Sequence, residues 1–451
     1  MRQRQMSHNY ERVPTNARRI REQFPDHRGP RIKWLVRAFV LIAVGYLAYL
    51  VLSFVYFDAG NTEREENATV PLSGAQPTAT ERAALRTGAQ SDKDIPKRGP
   101  DRWHTRPAST VDMPVPGKLD CPRGVLRKSN STPTDPNRVR PADIMLIGAL
   151  GDSITSGFLS YDKEVEAEEE LDFVGNSFVM GGDGAMDTHV TLANILRSLN
   201  RHLLGYSVGA GLDETTARLN VAFPGRRSDD LPRQAELLVQ RMKTFPEELI
   251  ANEWKLIHIF MGTNDISMFC FDGRGISKED YKSYMKRAIK IIQDNLPRTI
   301  ISLIGMWNID FEYRAREIIY DLNHRRCFAN FSIYAQELIE DYRQATFELG
   351  KDEDLVRNDS VVVVQRLWDD LYEPLTKKDG TYHIYFYATD IFHLSKYGNS
   401  LAAKQLWKQL NSPEGEKRTS NDELADDSPL LACPDTNCPY IRTPENSIDC
   451  S

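Results

Sequence analysis

Short apolar runs alternate with stretches of helical periodicity beyond residue 119, and this alternation restricts the chain to a few architectures. The apolar runs lie at 143–150, 219–223, 254–261, 299–306 and 360–365. The helical stretches lie at 188–199, 229–242, 278–293, 331–347 and 396–409. Near-continuous apolar strands separated by helices are typical of a mostly parallel sheet that is covered on both faces. We therefore predict one large α/β domain over residues 119–447.

An uncharged segment of twenty residues, AFVLIAVGYLAYLVLSFVYF at 38–57, is long enough for a helix to cross a bilayer. Residues 1–33 carry a net charge of +6, and three glutamates follow the segment at 63–66. The positive-inside rule then predicts a transmembrane signal-anchor helix at 34–57 with the N-terminus in the cytoplasm. A cleaved signal peptide is disfavoured because the leading segment is long and no clear A-x-A site follows. A buried core helix is a third interpretation.

This anchor predicts a single-pass membrane protein with its body extracellular or lumenal. The basic cytoplasmic tail covers 1–33, and a flexible stalk rich in Ala, Thr, Pro and Gly covers 58–118. The whole chain has a net charge of −7, so the part beyond the tail and Arg37 carries −14. Such an acidic body argues against nucleic acid as a partner, because phosphate binding needs a concentrated positive surface.

Cysteines and glycosylation sequons agree with an oxidising compartment. Six cysteines allow up to three disulfides, whose pairing the sequence leaves open. The disulfide candidates are Cys121, Cys270, Cys327, Cys433, Cys438 and Cys450. Their spacing does not form the paired C-x-x-C layout of a zinc site. The glycosylation candidates are Asn67, Asn130, Asn330 and Asn358.

Residues that can perform chemistry follow several of the apolar runs, at the strand ends where parallel sheets bind ligands. Gly151-Asp152-Ser153 follows the first run, Pro224-Gly225 the second and Gly262-Thr263-Asn264-Asp265 the third, and Asp390 and His393 come after the fifth. These positions offer a hydroxyl, an unhindered backbone amide, a carboxamide and an imidazole beside a carboxylate. Together they are the groups that acyl transfer by a serine nucleophile requires.

Ser153 is the candidate nucleophile. A serine hydroxyl needs a base within hydrogen-bond reach, and the small residues Gly151 and Gly157 around it allow a sharp turn that exposes it. The alternative interpretation is that Ser153 caps the N-terminus of a helix.

His393 is the candidate base, because it lies in a short turn before the final helix with Asp390 three residues earlier. Asp390 can accept a proton from one ring nitrogen and leave the other nitrogen to take the serine proton. A capped turn with His393 on the surface is the structural alternative. His189 and His383 are rival bases without a comparable partner, and His258 lies inside a predicted strand.

Asn264 and Gly225 are candidates for an oxyanion hole. Asn264 offers a side-chain N–H, and Gly225 and Ser153 offer backbone amides. Removal of one such donor typically raises the barrier by about 3 kcal/mol. An ordinary turn and an ordinary loop are the alternative roles of these two segments.

These ordered blocks resemble those of the SGNH, or GDSL, hydrolase family. The blocks are Gly151-Asp152-Ser153, Gly225, Gly262-Thr263-Asn264-Asp265 and Asp390-Ile391-Phe392-His393. Longer stretches such as LNVAFPGRRSDDLPRQAELLV, WKLIHIFMGTNDISMFC and CPDTNCPYIRTPENS are similar to the animal phospholipase B branch of the family. The similarity extends from about residue 121 to residue 447.

The resemblance implies a three-layer α/β/α sandwich with a mostly parallel central sheet, and it implies no metal and no cofactor. It also implies hydrolysis of acyl esters in glycerophospholipids and lysophospholipids, in the manner of phospholipase B, phospholipase A and lysophospholipase, through an acyl-enzyme on Ser153. The implied catalytic residues are Ser153, Asp390 and His393, and the implied oxyanion hole is Ser153, Gly225 and Asn264. The implied supporting residues are Gly151, Asp152, Gly262 and Asp265.

Two other functions have different signatures. A non-catalytic lipid-binding surface protein would naturally lack the serine or the histidine, and this sequence retains both. An esterase for glycerides, retinyl esters or acetylated glycans would retain the same residues, so the resemblance and not the residues favours a phospholipid. The oligomeric state is left open.

Overall fold

The computed structural model describes residues 113, 115–161, 171–267, 275–309, 325–371, 374–377 and 380–450, with side chains of the helix that starts at 325 described from residue 333. The predicted tail, anchor helix and most of the stalk lie outside these ranges. Within them, no helix combines the length and the apolar character needed to cross a membrane.

The described strands form one parallel sheet in the order β1-β2-β3-β4. They are β1 Ile144–Gly151, β2 Trp254–Phe260, β3 Thr299–Ile304 and β4 Ser360–Gln365. Nearly every residue of these strands is buried, which explains why the sequence reads as apolar runs without alternation. Because the strands are parallel, their carboxyl ends lie at one edge of the sheet.

The helices follow the predicted stretches closely. In chain order the α-helices are α1 Ser153–Ser156, α2 Leu192–Leu199, α3 Leu231–Met242, α4 Glu247–Asn252, α5 Thr263–Ser267, α6 Lys278–Asn295, α7 Arg325–Leu349, α8 Lys396–Leu410 and α9 Asn421–Leu424. Side-chain caps fix several of the starts: the hydroxyls of Thr191, Ser277 and Ser395 each accept a backbone N–H in the first turn of α2, α6 and α8.

Helices cover both faces of the sheet. On one face α3 packs against β1 and α6, and α6 packs against α7. A Cβ on Gly148 in β1 would touch Leu238 and Met242 of α3, which shows how closely that helix approaches. On the other face α2 packs against α8, and the Phe260 ring of β2 meets Phe178. The predicted α/β fold with a parallel sheet is confirmed.

The predicted strand at 219–223 is only partly formed. Ala149 of β1 donates to the Leu219 carbonyl and accepts from the Val221 amide, and this single parallel bridge is all that is formed at Asn220. Regular pairing ends there because the Gly151 amide donates to the Gln234 side chain at 2.8 Å, although the Phe223 amide still donates to the Gly151 carbonyl at 3.2 Å. The carboxamide of a neighbouring helix thus replaces a strand partner.

Two disulfides involve four of the predicted cysteines. Cys121 bonds Cys433, and Cys438 bonds Cys450. The first bond joins positions 312 residues apart and ties the beginning of the body to its C-terminal segment. Cys270 and the side chain of Cys327 lie outside the described part of the chain, as do Asn67 and the side chain of Asn330.

Candidate active site

Ser153 lies where β1 passes directly into a short helix. Gly151 ends the strand, and Asp152 is the N-cap of α1, whose first residue is Ser153. The Asp152 carboxylate accepts from the Ile154 amide at 3.0 Å. The cap is therefore Asp152, and the alternative in which Ser153 is the capping residue is wrong. This leaves the serine hydroxyl available for another partner.

That partner is His393, and a continuous hydrogen-bonded chain joins three side chains. Ser153 Oγ lies 2.8 Å from His393 Nε2, although the two residues are 240 positions apart. His393 Nδ1 lies 2.6 Å from Asp390 Oδ2. Ser153 and His393 are 6 % and 9 % exposed, so little bulk water competes for these bonds.

Asp390 is held in place by its own loop. Its Oδ1 accepts from the backbone amides of Phe392 and His393, each at 3.0 Å. Burial acts to raise the pKa of Asp390, but the hydrogen bonds and the charge of His393 outweigh burial and lower the pKa below its ordinary value. The carboxylate therefore stays ionised at neutral pH, where it can fix the His393 tautomer and can stabilise an imidazolium.

Aromatic rings surround the His393 imidazole. Phe158 meets it edge-on at 4.8 Å between ring centroids, and Phe392 meets it at 5.0 Å. Phe392 in turn packs on Trp307, which follows β3. These contacts restrict the ring to the orientation in which Nε2 faces the serine.

The two rival histidines and His258 lie in other surroundings. His189 Nδ1 lies 3.0 Å from the Ser400 hydroxyl, and His383 Nε2 lies 3.3 Å from the Tyr397 hydroxyl. His258 is fully buried in β2, and burial lowers its pKa to about 3. These residues do not meet Ser153, so the structure brings together Ser153 and the predicted base rather than a rival.

Gly225 lies in the turn after the 219–223 segment, and Asn264 lies in the short helix α5 that follows β2. Gly225 has a left-handed backbone with φ of 74°, and a Cβ there would have no neighbour within 4 Å. Asn264, in α5, donates its side-chain amide to the Arg226 carbonyl at 2.9 Å. The same carboxamide nitrogen carries a second hydrogen, which this contact does not use.

The predicted supporting residues hold these loops. A Cβ on Gly151 would lie 2.6 Å from the Phe260 carbonyl oxygen, so the close approach of β1 and β2 admits only glycine here. Gly262 has φ of 133°. Asp265 accepts from the amide and hydroxyl of Ser228 and thereby joins α5 to the segment after Gly225. Burial raises the pKa of Asp265 to about 6 and that of Asp152 to about 7.

Sequence reasoning missed Gln234 of α3. Its carboxamide accepts from the Gly151 amide at 2.8 Å and donates to the Gly151 carbonyl at 3.0 Å. It therefore fixes the end of β1 two residues before Ser153. A signal was present: Gln234 is a polar residue on the buried face of the predicted helix at 229–242.

The described ranges contain no group of three or more His, Cys, Asp or Glu side chains that could hold a metal ion. The arrangement at Ser153 instead has the parts of a nucleophile, a base and an orienting carboxylate.

The fold and this site define an α/β acylhydrolase. A family model described as GDSL-like Lipase/Acylhydrolase matches residues 147–406, and the chain belongs to this family. The match extends from within β1 to within α8, and it therefore covers Ser153, Gly225, Asn264, Asp390 and His393.

The curated relatives of this chain are much longer than the region that aligns with it. Membrane-associated phospholipase B1 of Homo sapiens is 32% identical over 332 residues, which cover 71% of this chain and 22% of the relative. Its counterpart in Rattus norvegicus is 32% identical over 330 residues, with the same two shares of 71% and 22%. The chain thus spans about a fifth of the length of these curated relatives. Among solved structures, an acetyl xylan esterase from Geobacillus stearothermophilus aligns with a TM-score of 0.33 and 13% identity over 65% of this chain and 99% of that chain.

Proposed function

We propose that this chain hydrolyses acyl ester bonds of glycerophospholipids and lysophospholipids through an acyl-enzyme on Ser153. The observation that carries the proposal is the hydrogen bond of 2.8 Å between Ser153 Oγ and His393 Nε2. Without a base at this distance, a serine hydroxyl is a weak nucleophile at neutral pH. The choice of lipid as substrate is supported by the similarity to phospholipase B1.

The first half of the proposed cycle forms the acyl-enzyme. His393 Nε2 takes the proton of the Ser153 hydroxyl while Oγ attacks the ester carbonyl carbon. Asp390 stabilises the resulting imidazolium through its bond to Nδ1, which is 2.6 Å long. The imidazolium then gives its proton to the departing glycerol oxygen, and the C–O ester bond breaks.

The oxyanion of the tetrahedral intermediate is stabilised by the amides of Ser153 and Gly225 and by Asn264. The Arg226 carbonyl binds one hydrogen of the Asn264 amide group, so it orients the side chain and leaves the second hydrogen for the oxyanion. Donors fixed in advance stabilise developing charge without reorganisation during the reaction.

The second half of the cycle hydrolyses the acyl-enzyme. A water molecule donates a proton to His393 Nε2 and attacks the acyl carbon, and the fatty acid leaves as Ser153 recovers its proton. Every proton in the proposed cycle passes through His393 Nε2, which lies 2.8 Å from Ser153 Oγ.

The direct test is incubation of the purified 58–451 fragment with a phosphatidylcholine of defined acyl chains and identification of the products. The proposal predicts free fatty acid and lysophosphatidylcholine, followed by glycerophosphocholine. The Ser153→Ala variant should form none of these, whereas Ser198→Ala, which removes an exposed serine hydroxyl on α2, should match the wild type. Equal product formation by wild type and Ser153→Ala would refute the assignment.

The proposal also includes a signal-anchor helix at 34–57, a cytoplasmic tail at 1–33, a stalk at 58–118 and a hydrolase domain at 119–447 outside the cytosol. The two described disulfides support an oxidising compartment. The exposed sequon residues Asn130 and Asn358 are accessible to glycosylation.

Topology is tested by expression of the full chain in cells. The proposal predicts a product that sediments with membranes, resists alkaline extraction and migrates faster after removal of N-glycans. A protease added outside should release the body and leave the tail protected. A body that carries no N-glycan and is protected together with the tail would contradict this topology.

A further inference from the structure

We propose that Arg226 binds the phosphate group of the phospholipid substrate at the rim of the Ser153 site, with the neighbouring Phe223 ring in contact with the acyl chains. This inference rests on the proposed function, and it identifies what would distinguish a phospholipid from a neutral ester.

The turn from Phe223 to Arg226 is attached to the site at both ends. The Phe223 amide donates to the Gly151 carbonyl at 3.2 Å, two residues before Ser153. The Arg226 carbonyl accepts from the Asn264 side chain at 2.9 Å. Gly225, which offers a backbone amide to the oxyanion, lies between them. Any ester held against Ser153 therefore lies beside this turn.

The side chains of the turn suit a lipid with a charged head group. Phe223 is 45 % exposed although it directly follows buried Val221 and Ala222. The Arg226 guanidinium carbon lies 5.0 Å from the centre of the Phe223 ring, in the range of a cation–π contact. The exposed ring and the guanidinium above it thus place an apolar surface beside a positive charge. A phospholipid has complementary groups, since its apolar acyl chains lie next to a negatively charged phosphate.

The Arg226 guanidinium is available for a ligand. Its ion pair with Asp230 is long, at 3.9 Å, and the Arg226 side chain is 44 % exposed. Asp230 is 17 % exposed and also accepts from the Gln234 side chain at 3.1 Å, so the carboxylate keeps a partner when the guanidinium turns to a phosphate. A guanidinium can bind two phosphate oxygens at once, with charge-assisted hydrogen bonds.

The adjacent Arg227 has a different role. Its side chain pairs with Asp229 at 3.7 Å. Burial raises the pKa of Asp265 to about 6, and the charge of Arg227 opposes that rise. The charge of Arg227 thus favours the ionised form of the buried Asp265 carboxyl in α5, whereas the Arg226 side chain is exposed at the surface.

The covalent structure of the substrate fits this arrangement. In a glycerophospholipid the phosphate is joined to the same glycerol as the scissile ester, only a few bonds away. An ester carbonyl placed at Ser153 therefore brings the phosphate to the rim of the site. A diacylglycerol with the same chains lacks this group, so it provides a matched substrate.

The test compares phosphatidylcholine with diacylglycerol of identical acyl chains in the same mixed micelles. For Arg226→Ala we expect kcat/KM to fall at least about tenfold more for phosphatidylcholine than for diacylglycerol, with most of the loss in KM. Arg226→Gln removes the charge at similar length and gives the same readout if the alanine variant fails to fold. Arg226→Lys should recover part of the loss, because it retains charge without the planar fork.

Arg201→Ala is the matched control, because Arg201 is an exposed arginine far from Ser153 along β1. Its neighbour Asn200 donates to the carbonyl of Ile144, which begins β1 at the edge of the sheet opposite Ser153. This variant should retain the wild-type ratio between the two substrates. An equal loss on both substrates in Arg226→Ala and Arg226→Gln, or no loss on either, would overturn the inference and leave the proposed function intact. A wild-type protein that hydrolyses neither lipid would overturn the proposed function itself.

Discussion

At the amino-terminal edge of the sheet, the ammonium group of Lys255 donates to the backbone carbonyls of Ile250, Glu253 and Pro297. At the carboxyl-terminal edge, Ser153, His393 and Asp390 bond one another through their side chains. Both sets are largely buried. The Lys255 ammonium is bonded entirely to backbone carbonyls, whereas the Ser153 set joins the side chains that the proposed reaction uses.

We expect the Lys255 contacts at the amino-terminal edge to contribute to stability and the Ser153 set at the carboxyl-terminal edge to contribute to catalysis. Backbone carbonyls do not change during a reaction, so the partners of Lys255 are fixed, and burial lowers the pKa of this lysine to about 8. In the proposed cycle, by contrast, the bond from His393 to Ser153 breaks and reforms with each turnover. Substitutions at the two edges should therefore separate activity from stability.

The largest expected effect is on activity, in His393→Ala. Loss of the base should lower kcat about a millionfold with little change in the melting temperature. His383→Ala removes a rival histidine that bonds Tyr397 instead, and it should remain active. Steady-state kinetics with a soluble ester and thermal unfolding of both variants provide the check. A His383 variant that loses as much activity as His393→Ala would contradict the assignment of the base.

Asn264→Ala should have the next largest effect on activity. Loss of one oxyanion donor should lower kcat about hundredfold and leave KM nearly unchanged. The conservative Asn264→Gln variant should recover little, because the bond to the Arg226 carbonyl fixes the shorter side chain. A purely structural role would instead lower the melting temperature in proportion to the lost activity, and calorimetry distinguishes the two outcomes.

The disulfides provide the largest expected effect on stability. Cys121–Cys433 spans 312 residues and Cys438–Cys450 spans 12. In the chain-entropy model the longer loop stabilises by about 3 kcal/mol more. Cys121→Ser with Cys433→Ser should therefore lower the free energy of unfolding more than the corresponding pair at Cys438 and Cys450. Equal losses in denaturant titrations would contradict this order.

Lys255→Met should destabilise the protein without affecting catalysis. The substitution removes a donor from three carbonyls, of which that of Pro297 retains the Thr299 hydroxyl at 3.4 Å, and we expect a loss of about 2 kcal/mol in the free energy of unfolding. Activity per folded molecule should stay at the wild-type value, since Lys255 lies at the edge opposite Ser153. A fall in kcat comparable to that of Asn264→Ala would break the separation of the two edges.

The smallest expected effect is a pH dependence of stability from Asp152. Burial raises its pKa from 3.8 to about 7, so between these values the folded state binds more protons than the unfolded state. Stability from this group should therefore fall as pH rises across the folded-state pKa, by about 1.4 kcal/mol between pH 6 and pH 8. Asp152→Asn should lack this component. Identical pH profiles of unfolding free energy for both proteins would contradict it.

Local patterns were enough to predict much of the fold. The regular strands and the main helices were found because apolar runs and helical periodicity are properties of neighbouring residues. The partial strand at 219–223 was over-predicted, because its end depends on Gln234, a residue of the following helix. The Arg226 carbonyl that holds Asn264 was also beyond sequence reasoning, since it requires two loops to meet in space.

In the candidate site, too, contacts between neighbouring residues could be predicted from the sequence, whereas some contacts between distant loops could not. Asp390 and His393 are three residues apart, so their contact could be predicted from the sequence. Ser153 was paired with His393 through the rule that carboxyl ends of parallel strands share an edge. The bond of Asp265 to Ser228 had no local signal, because hydrogen bonds between distant loops leave no periodic pattern.

The most direct test of the central claim is to treat the 58–451 fragment with a fluorophosphonate and to locate the adduct by peptide mass spectrometry. We expect a single modified residue, Ser153, with labelling abolished in Ser153→Ala and strongly slowed in His393→Ala. An adduct on another serine, or labelling that persists in Ser153→Ala, would rule out Ser153 as the nucleophile.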